Sequence, residues 1–327
     1  MKNNLSTRAF HSALGPLMEE FVREKRACGY SYLEPSRLLR RLDKFLAEEG
    51  VTSAELPQSL VKKWASKNDH EHPRTQQGRL TVLRQFATFL CWRGYPAYVP
   101  DRTLGVRRCS DYVPRILTHE EMRKLLHAAD QLVPTARSPL RHLVMPEILR
   151  LLYGCGLRLG EALHLHIQDV DLNQGVLTVR QGKFRKDRLV PMVSALALRL
   201  KRYAAHVESR SRDAIFFPAP GGGPYKLRAV YGLFRELLVQ CHIPHGGRGK
   251  GPRVHDLRHT FAVHTLLRWC RAGENLDAKL PLLSTYLGHQ HLSGTQRYLH
   301  FTAELFPEVM RRVESAFGDV IPGRADA

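Results

Sequence analysis

The sequence lacks the features that mark several protein classes. No run of about 18 apolar residues occurs, so we expect no membrane-spanning helix and no membrane partner. The N-terminal stretch has no apolar core of signal-peptide length. The six cysteines are scattered without a CxxC pair, which argues against a zinc ribbon and against a disulfide framework. Internal repeats and low-complexity tracts are absent as well, so we expect a globular protein of the reducing cytoplasm.

Acidic residues are few relative to basic ones. The chain of 327 residues holds 50 Lys and Arg against 31 Asp and Glu, which gives a formal net charge of +19 and a pI near 10.0. Both halves share this excess, with +8 over residues 1–117 and +11 over residues 118–327. A basic surface of this extent indicates a polyanionic partner, with nucleic acid favoured over a ribosome or an anionic membrane surface.

The N-terminal part, residues 8–94, has the periodicity of helices. Two apolar stripes of helical period end at Gly50 and Gly94, and they consist of Leu38, Leu39, Leu42, Phe45 and Leu46, and of Leu83, Phe86 and Leu90. Basic side chains on or beside the last helix are candidate DNA phosphate contacts, although exposed arginines often contact nothing: Arg74, Arg79 and Arg84.

Composition divides the chain into two domains. Turn formers and arginines predict a helical domain over 1–107, a linker over 108–117 and a second domain over 118–327, opened by a capping box of Thr118 and Glu121. Alternating apolar residues predict a β-hairpin over 176–190 with a basic tip, and "DAIFFP" (213–218) predicts another strand. The expected fold class is mainly α with a small β-sheet (α+β).

Four segments of the second domain carry candidate chemistry, and each also has an ordinary structural interpretation. Arg158 and Glu161 have the spacing of a helix-face ion pair, and Lys183 occupies the hairpin tip. His255 and Arg258 also share a helix face. His259 and His264 lack the acid of a HExxH frame, so we expect no metal.

The fourth segment contains His289, which follows Gly288, and Tyr298 nine residues later. A phenol is inert until its pKa of about 10 is lowered or a base removes its proton. By itself, Tyr298 is therefore most simply a helix aromatic.

Together these segments resemble the tyrosine recombinases, the phage-integrase family, over residues 118–318. The resemblance is carried by "GLRLGE", "QGKFRKDRLVP", "HDLRH", "LGH" and "TQRYLH", in that order. It implies a helical core-binding domain that clamps DNA and a mixed, mostly helical catalytic domain. The implied catalytic residues are Arg158, Lys183, His255, Arg258, His289 and Tyr298, with Glu161 in support and Arg185 and Lys186 as further DNA contacts.

The chemistry of these residue types fits phosphoryl transfer. Arg158 and Arg258 would neutralise the phosphate, Tyr298 would attack it, and His255 would accept the phenolic proton. Lys183 would protonate the departing 5′ oxygen, and His289 would hydrogen-bond a non-bridging oxygen.

The resemblance further implies a site-specific recombinase that uses neither metal nor ATP. It implies a 3′-phosphotyrosine intermediate, a Holliday junction and a tetramer on double-stranded DNA at the nucleoid, with sister recombinases or accessory bending proteins as further partners. Two other functions stay open: a catalytically silent DNA-binding protein and a type IB topoisomerase.

Two segments of the second domain raise questions of their own. The stretch 268–283 makes the interval from Arg258 to His289 longer than in typical members, which predicts an added loop. An apolar stripe over 305–317 predicts a tail helix that packs in cis or, as we favour, on a neighbouring protomer.

Overall fold

The computed structural model describes residues 10–105, 113–180, 187–207, 211–247 and 251–301. Its contacts divide the chain into two compact units, Met1–Tyr112 and Val113–Ala327. The predicted hairpin-tip residues Lys183, Arg185 and Lys186 and the tail stripe over 305–317 lie outside the described residues.

The first unit is helical. Its helices are α1 (Gly15–Ala27), α2 (Leu33–Glu48), α3 (Gln58–Ala65) and α4 (Pro73–Trp92). The predicted stripes of α2 and α4 form its core, with Leu39, Leu42 and Leu46 from α2 and Leu83, Phe86 and Leu90 from α4 all buried. The chain leaves α2 and α4 through glycines with positive φ, Gly50 at 70° and Gly94 at 82°, a conformation that glycine adopts without steric cost.

One residue of this unit corrects a sequence-based expectation. The Arg79 side chain is 1% exposed and donates from Nε to Glu71 Oε1 over 2.9 Å. It also donates to the carbonyls of Trp64 and Ser66 and lies over the Trp64 ring at 5.0 Å. Because its donors are engaged inside the fold, Arg79 is a structural residue of this unit and not a surface contact for phosphate.

The second unit is mixed. Its helices are α5 (His119–Asp130), α6 (Arg141–Gly154), α7 (Leu159–Leu163), α8 (Ser194–Ala205), α9 (Leu227–Gln240), α10 (Asp256–Arg271), α11 (Leu276–Leu287) and α12 (Ser293–Gln296), with 3₁₀ helices at Ile167–Asp169 and Arg297–Phe301. The capping box of Thr118 and Glu121 starts α5 as predicted, with both reciprocal hydrogen bonds formed. Helix α10 packs against α6, α11 and the 3₁₀ helix that carries Tyr298, so it places His255 and Arg258 near Tyr298.

A three-stranded antiparallel sheet completes this unit. Strands β1 (Val170–Asp171), β2 (Val176–Val179) and β3 (Arg188–Pro191) pair in the order β1-β2-β3. The predicted hairpin arms are confirmed, with Leu177 opposite Val190 and both buried. The two-residue strand β1 was not predicted. The strand predicted over 213–218 is wrong, because this segment forms only isolated bridges, from Ile215 to His166 and from Pro218 to Pro224.

The segment 268–283 also differs from expectation. It comprises the end of α10, a short turn and most of α11, so its length lies in two helices and not in an added loop. Asn275 begins α11 by accepting hydrogen bonds from the backbone of Asp277 and Ala278. The fold class, mainly α with a small sheet, is confirmed. Within the described ranges, no helix is both long and apolar enough to cross a membrane.

Candidate active site

Three arginines converge on the C-terminal end of α11. Arg188 Nε donates to the carbonyl of Tyr286 at 3.0 Å, Arg258 Nη2 to Leu287 at 2.6 Å, and Arg158 Nη2 to Gly288 at 3.1 Å. The last carbonyls of a helix have no partner within the helix and carry its negative dipole end. One helix end therefore gathers three guanidiniums from three different segments.

Gly288 makes this approach possible. It ends α11 with φ at +66°, the left-handed conformation, and a Cβ atom here would meet Arg188 Cδ at 3.1 Å. Any side chain at this position would be strained and would press on the arginine. The glycine of "LGH" is thus explained by the packing of the cluster.

Glu161 is the anion that holds two of these arginines. Its carboxylate accepts from the Arg158 backbone at 2.9 Å and from Arg158 Nη1 at 2.7 Å, and it accepts two bonds from Arg188 at 3.0 and 2.8 Å. Burial alone would raise its pKa, but the hydrogen bonds and charges of Arg188 and Arg158 lower that pKa to about 2. Glu161 is therefore an anion at neutral pH and fixes both arginine forks.

Arg258 is the most deeply placed of the three. It is 1% exposed, and Nη1 also donates to the carbonyl of Gly156 at 2.6 Å. Burial and the neighbouring Arg158 charge lower the pKa of Arg258 to about 10, so the guanidinium remains charged near pH 7. A guanidinium has five N–H donors, and the two backbone bonds leave others for an anionic ligand.

Tyr298 lies buried beside this cluster, with 3% of its surface exposed. Its phenolic oxygen is 3.2 Å from His259 Nδ1. Burial raises the pKa of the phenol, while the charge and hydrogen bond of Arg258 and the charge of Arg158 oppose that rise. The hydroxyl is protonated at neutral pH and needs an acceptor for its proton before it can attack.

Two further histidines border the tyrosine. The His289 ring lies 6.0 Å from the Tyr298 ring, and its Nδ1 pairs with Thr295 Oγ1 at 2.7 Å. The His255 ring packs edge-on against His259 at 4.8 Å between centroids. Burial and the Arg258 and Arg158 charges lower the pKa of His289 to about 4. Partial burial and the same two charges also lower the pKa of His255, which is the more exposed residue. Both imidazoles are thus neutral near pH 7.

The structure brings together most of the residues that the sequence singled out. The grouped residues are Arg158, Glu161, His255, Arg258, His289 and Tyr298. In the N-terminal unit Arg74 is exposed, whereas Arg84 donates to the carbonyls of Pro100 and Asp101.

Sequence reasoning missed two members of the site. Arg188 lies in the motif "QGKFRKDRLVP" but received no role from the sequence, yet it binds Glu161 with both terminal nitrogens. His259 was weighed only as a metal ligand. It stands four residues after His255 and hence on the same helix face, which was a usable signal.

The donor set suits an anion better than a cation. Among the described residues, no group of three or more His, Cys, Asp or Glu side chains could hold a metal ion. Three guanidiniums on one short segment create a strongly positive patch, and arginine forks match the oxygens of a phosphate.

Comparisons with known proteins agree with this geometry. The model of the phage integrase family matches residues 115–304. A protein of Sinorhizobium fredii described as an integrase/recombinase, y4rB, is 33% identical over 92% of this chain and 97% of its own length. The tyrosine recombinase XerC of Oceanobacillus iheyensis is 31% identical over 71% of each chain.

Solved structures share the fold. The XerH site-specific recombinase bound to palindromic difH substrate aligns with a TM-score of 0.62 at 20% identity, over 92% of this chain and 84% of that one. The Tn1549 transposon integrase in complex with transposon right end DNA aligns with a TM-score of 0.65 at 18% identity, over 91% of this chain and 99% of that one. The family match, the two relatives and the shared fold place this chain in the phage integrase family, that of the tyrosine recombinases.

Proposed function

We propose that this protein is a site-specific DNA recombinase in which Tyr298 cleaves and rejoins DNA strands. The observation that carries the proposal is the buried Tyr298 phenol placed beside the fixed guanidiniums of Arg258 and Arg158. Similarity to relatives named tyrosine recombinases supports the same reaction class.

The arginines would supply the electrostatic part of the reaction. Attack on a phosphodiester produces a five-coordinate transition state with more negative charge than the ground state. Arg258 and Arg158 are already oriented by Gly156, Glu161 and the end of α11, so they would need little reorganisation. Removing one such donor typically costs about 10²–10³ in rate. His289 would add a hydrogen bond to a non-bridging oxygen.

Protons must move at both ends of the reaction. The phenolic proton passes to a histidine, and the 5′ oxygen of the broken strand takes a proton from Lys183. The assignment of Lys183 rests on its place in the segment that joins β2 and β3, where "QGKFRKDRLVP" matches the family pattern. Arg185 and Lys186 of the same segment would contact DNA phosphates, as would the exposed Arg74 of the N-terminal unit.

The product of cleavage would be a 3′-phosphotyrosine and a free 5′-hydroxyl. A phosphotyrosine ester keeps the energy of the phosphodiester, so another 5′-hydroxyl can reseal the strand without ATP. Two successive exchanges through a Holliday junction would require four protomers on DNA at the nucleoid, together with sister recombinases or accessory bending proteins where a site needs them. The tail over 305–317 would link neighbouring protomers.

The test uses nicked double-stranded DNA of randomised sequence, from which the wild-type protein selects sequences that it holds covalently. We expect an SDS-resistant adduct that EDTA does not reduce and that Tyr298→Phe abolishes. DNA binding without any adduct would indicate a silent DNA-binding protein. Adducts on every sequence, with plasmid relaxation and no strand exchange, would indicate a topoisomerase. Either result would overturn the proposal.

A further inference from the structure

The described site pairs the Tyr298 hydroxyl with His259, a residue that resemblance to the family did not assign. The phenolic oxygen is 3.2 Å from His259 Nδ1, and the two ring centroids lie 5.5 Å apart. His259 directly follows Arg258 on α10. The same helical turn thus presents one group to the phosphate and one to the nucleophile.

We propose that His259, through Nδ1, is the base that takes the proton of Tyr298 during strand cleavage. The proposal rests on the function proposed above. The O–H bond of Tyr298 breaks and its proton forms an N–H bond at Nδ1. The phenolic oxygen then bonds to phosphorus while the bond to the 5′ oxygen breaks, and Lys183 gives that oxygen a proton. On resealing, each proton returns by the reverse path.

The surroundings of His259 keep its ring neutral before DNA arrives. It is faced by His255 and Arg258 from its own helix, by His289 after α11, and by Arg297 and Tyr298 from the 3₁₀ helix. Burial and the charges of Arg258 and Arg297 lower the pKa of His259 to about 3. At pH 7 the ring is therefore unprotonated, and Nδ1 can accept a hydrogen bond from the phenol.

A bound phosphate changes this balance. It brings a negative charge among Arg158, Arg258 and Arg188, which would raise the proton affinity of the nearby imidazole. The proton could then move from Tyr298 to His259 only when a phosphate is in place. This coupling would keep the phenol unreactive until DNA is bound.

The assignment changes the role of His255, which was the proton acceptor expected from the sequence. The ring of His255 packs edge-on against His259 at 4.8 Å between centroids, so it limits the orientations that the His259 ring can take. His255 is then a neighbour of the acceptor and a positioning residue for it.

The chain supplies a matched control for an ordinary buried histidine–tyrosine pair. His264 lies on the same helix, α10, and its Nδ1 is 2.9 Å from the hydroxyl of Tyr153. Both histidines are partly buried and bonded to a phenol, but His264 lies in a separate pocket of about 650 Å³ lined also by His119, Phe261 and Trp269. His264→Asn therefore reports what the loss of such a pair does to α10 alone.

The experiment measures single-turnover adduct formation on the selected DNA sequences. Asparagine keeps a hydrogen-bonding atom near the Nδ1 position but cannot take a proton. We expect His259→Asn to slow adduct formation by about 10²-fold or more while DNA binding is unchanged, and His264→Asn to stay within about twofold of wild type. Should His259→Asn be unfolded at the assay temperature, His259→Gln is measured in the same way.

A second substrate separates the nucleophile from the leaving group. When a sulfur atom replaces the 5′ bridging oxygen, the leaving group no longer needs a proton. We expect this substrate to restore adduct formation by the Lys183→Ala variant and not by the His259→Asn variant. The proposal would be overturned if the sulfur substrate restored adduct formation by His259→Asn. It would also be overturned if His259→Asn formed the adduct on ordinary DNA at a rate within about threefold of wild type. If wild type forms no adduct, or Tyr298→Phe still forms one, the proposed function itself fails.

Discussion

The Glu161 carboxylate is the point where removal of one charge should affect both stability and catalysis. Glu161→Gln keeps the shape of the side chain but leaves Arg158 and Arg188 without the anion that accepts four hydrogen bonds. The pKa of Glu161 falls from 4.5 to about 2 on folding, which corresponds to about 3 kcal/mol of stability. The side chain is 8% exposed, so solvent screens this interaction little.

The sign of the pH dependence follows from the lowered pKa. The stabilisation is complete above about pH 4.5 and is lost as the pH falls toward about 2, where the carboxylate is protonated in the folded protein. Glu161→Gln should therefore lower the free energy of unfolding near pH 7 by about 3 kcal/mol and lessen its decline in acid.

Urea unfolding of the second unit, monitored by the fluorescence of Trp269, checks this prediction. Trp269 is the one tryptophan after residue 112 in the sequence, and Trp64 and Trp92 are replaced by phenylalanine so that only Trp269 contributes to the signal. Glu147→Gln is the control, because Glu147 binds Arg199 with a side chain 7% exposed. Both variants should lose stability, but only Glu161→Gln should slow adduct formation, by about 10²-fold. Equal adduct rates for Glu161→Gln and Glu147→Gln would refute a role in holding the arginines.

Three further outcomes follow from the packing. Arg79→Ala should destabilise the N-terminal unit by about 3–5 kcal/mol in thermal unfolding, because the Glu71 carboxylate is left buried and unpaired. Arg74→Ala should leave stability intact and reduce the salt dependence of DNA binding. A reduced salt dependence of DNA binding for Arg79→Ala, with its stability unchanged, would contradict this. Gly288→Ala should cost about 1–3 kcal/mol and slow cleavage, while Gly160→Ala, with open space around it, should do neither. Arg258→Lys should cut the adduct rate by about 10²-fold or more, since an ammonium cannot reach the carbonyls of Gly156 and Leu287 together; an unchanged rate would show that the fork is dispensable.

Helical periodicity was enough to predict much of the fold. The spacing of apolar residues along the sequence predicted the buried stripes that contain Leu42 and Phe86, and apolar alternation predicted the hairpin around Leu177. The segment 213–218 misled because two aromatic residues there are buried by tertiary packing without forming a strand.

The sequence predicted most of the residues that belong to the site, but it did not predict which side chains and carbonyls they contact. Motif order pointed to Arg158, Arg258 and Tyr298, whose side chains the structure groups. Nothing local shows that the carbonyls of Tyr286, Leu287 and Gly288 collect three arginines, because these contacts join residues between 29 and 130 positions apart. Arg79 shows the converse, since an arginine on a helix can be a buried ion-pair partner instead of a surface contact.

The identity of the residue that becomes joined to DNA tests the central claim most directly. The wild-type adduct is trimmed with nuclease, and tandem mass spectrometry locates the modified residue and the end of the attached nucleotide. We expect a nucleotide linked through its 3′ phosphate to Tyr298. A nucleotide on any other residue, or one linked through its 5′ phosphate, would contradict the mechanism.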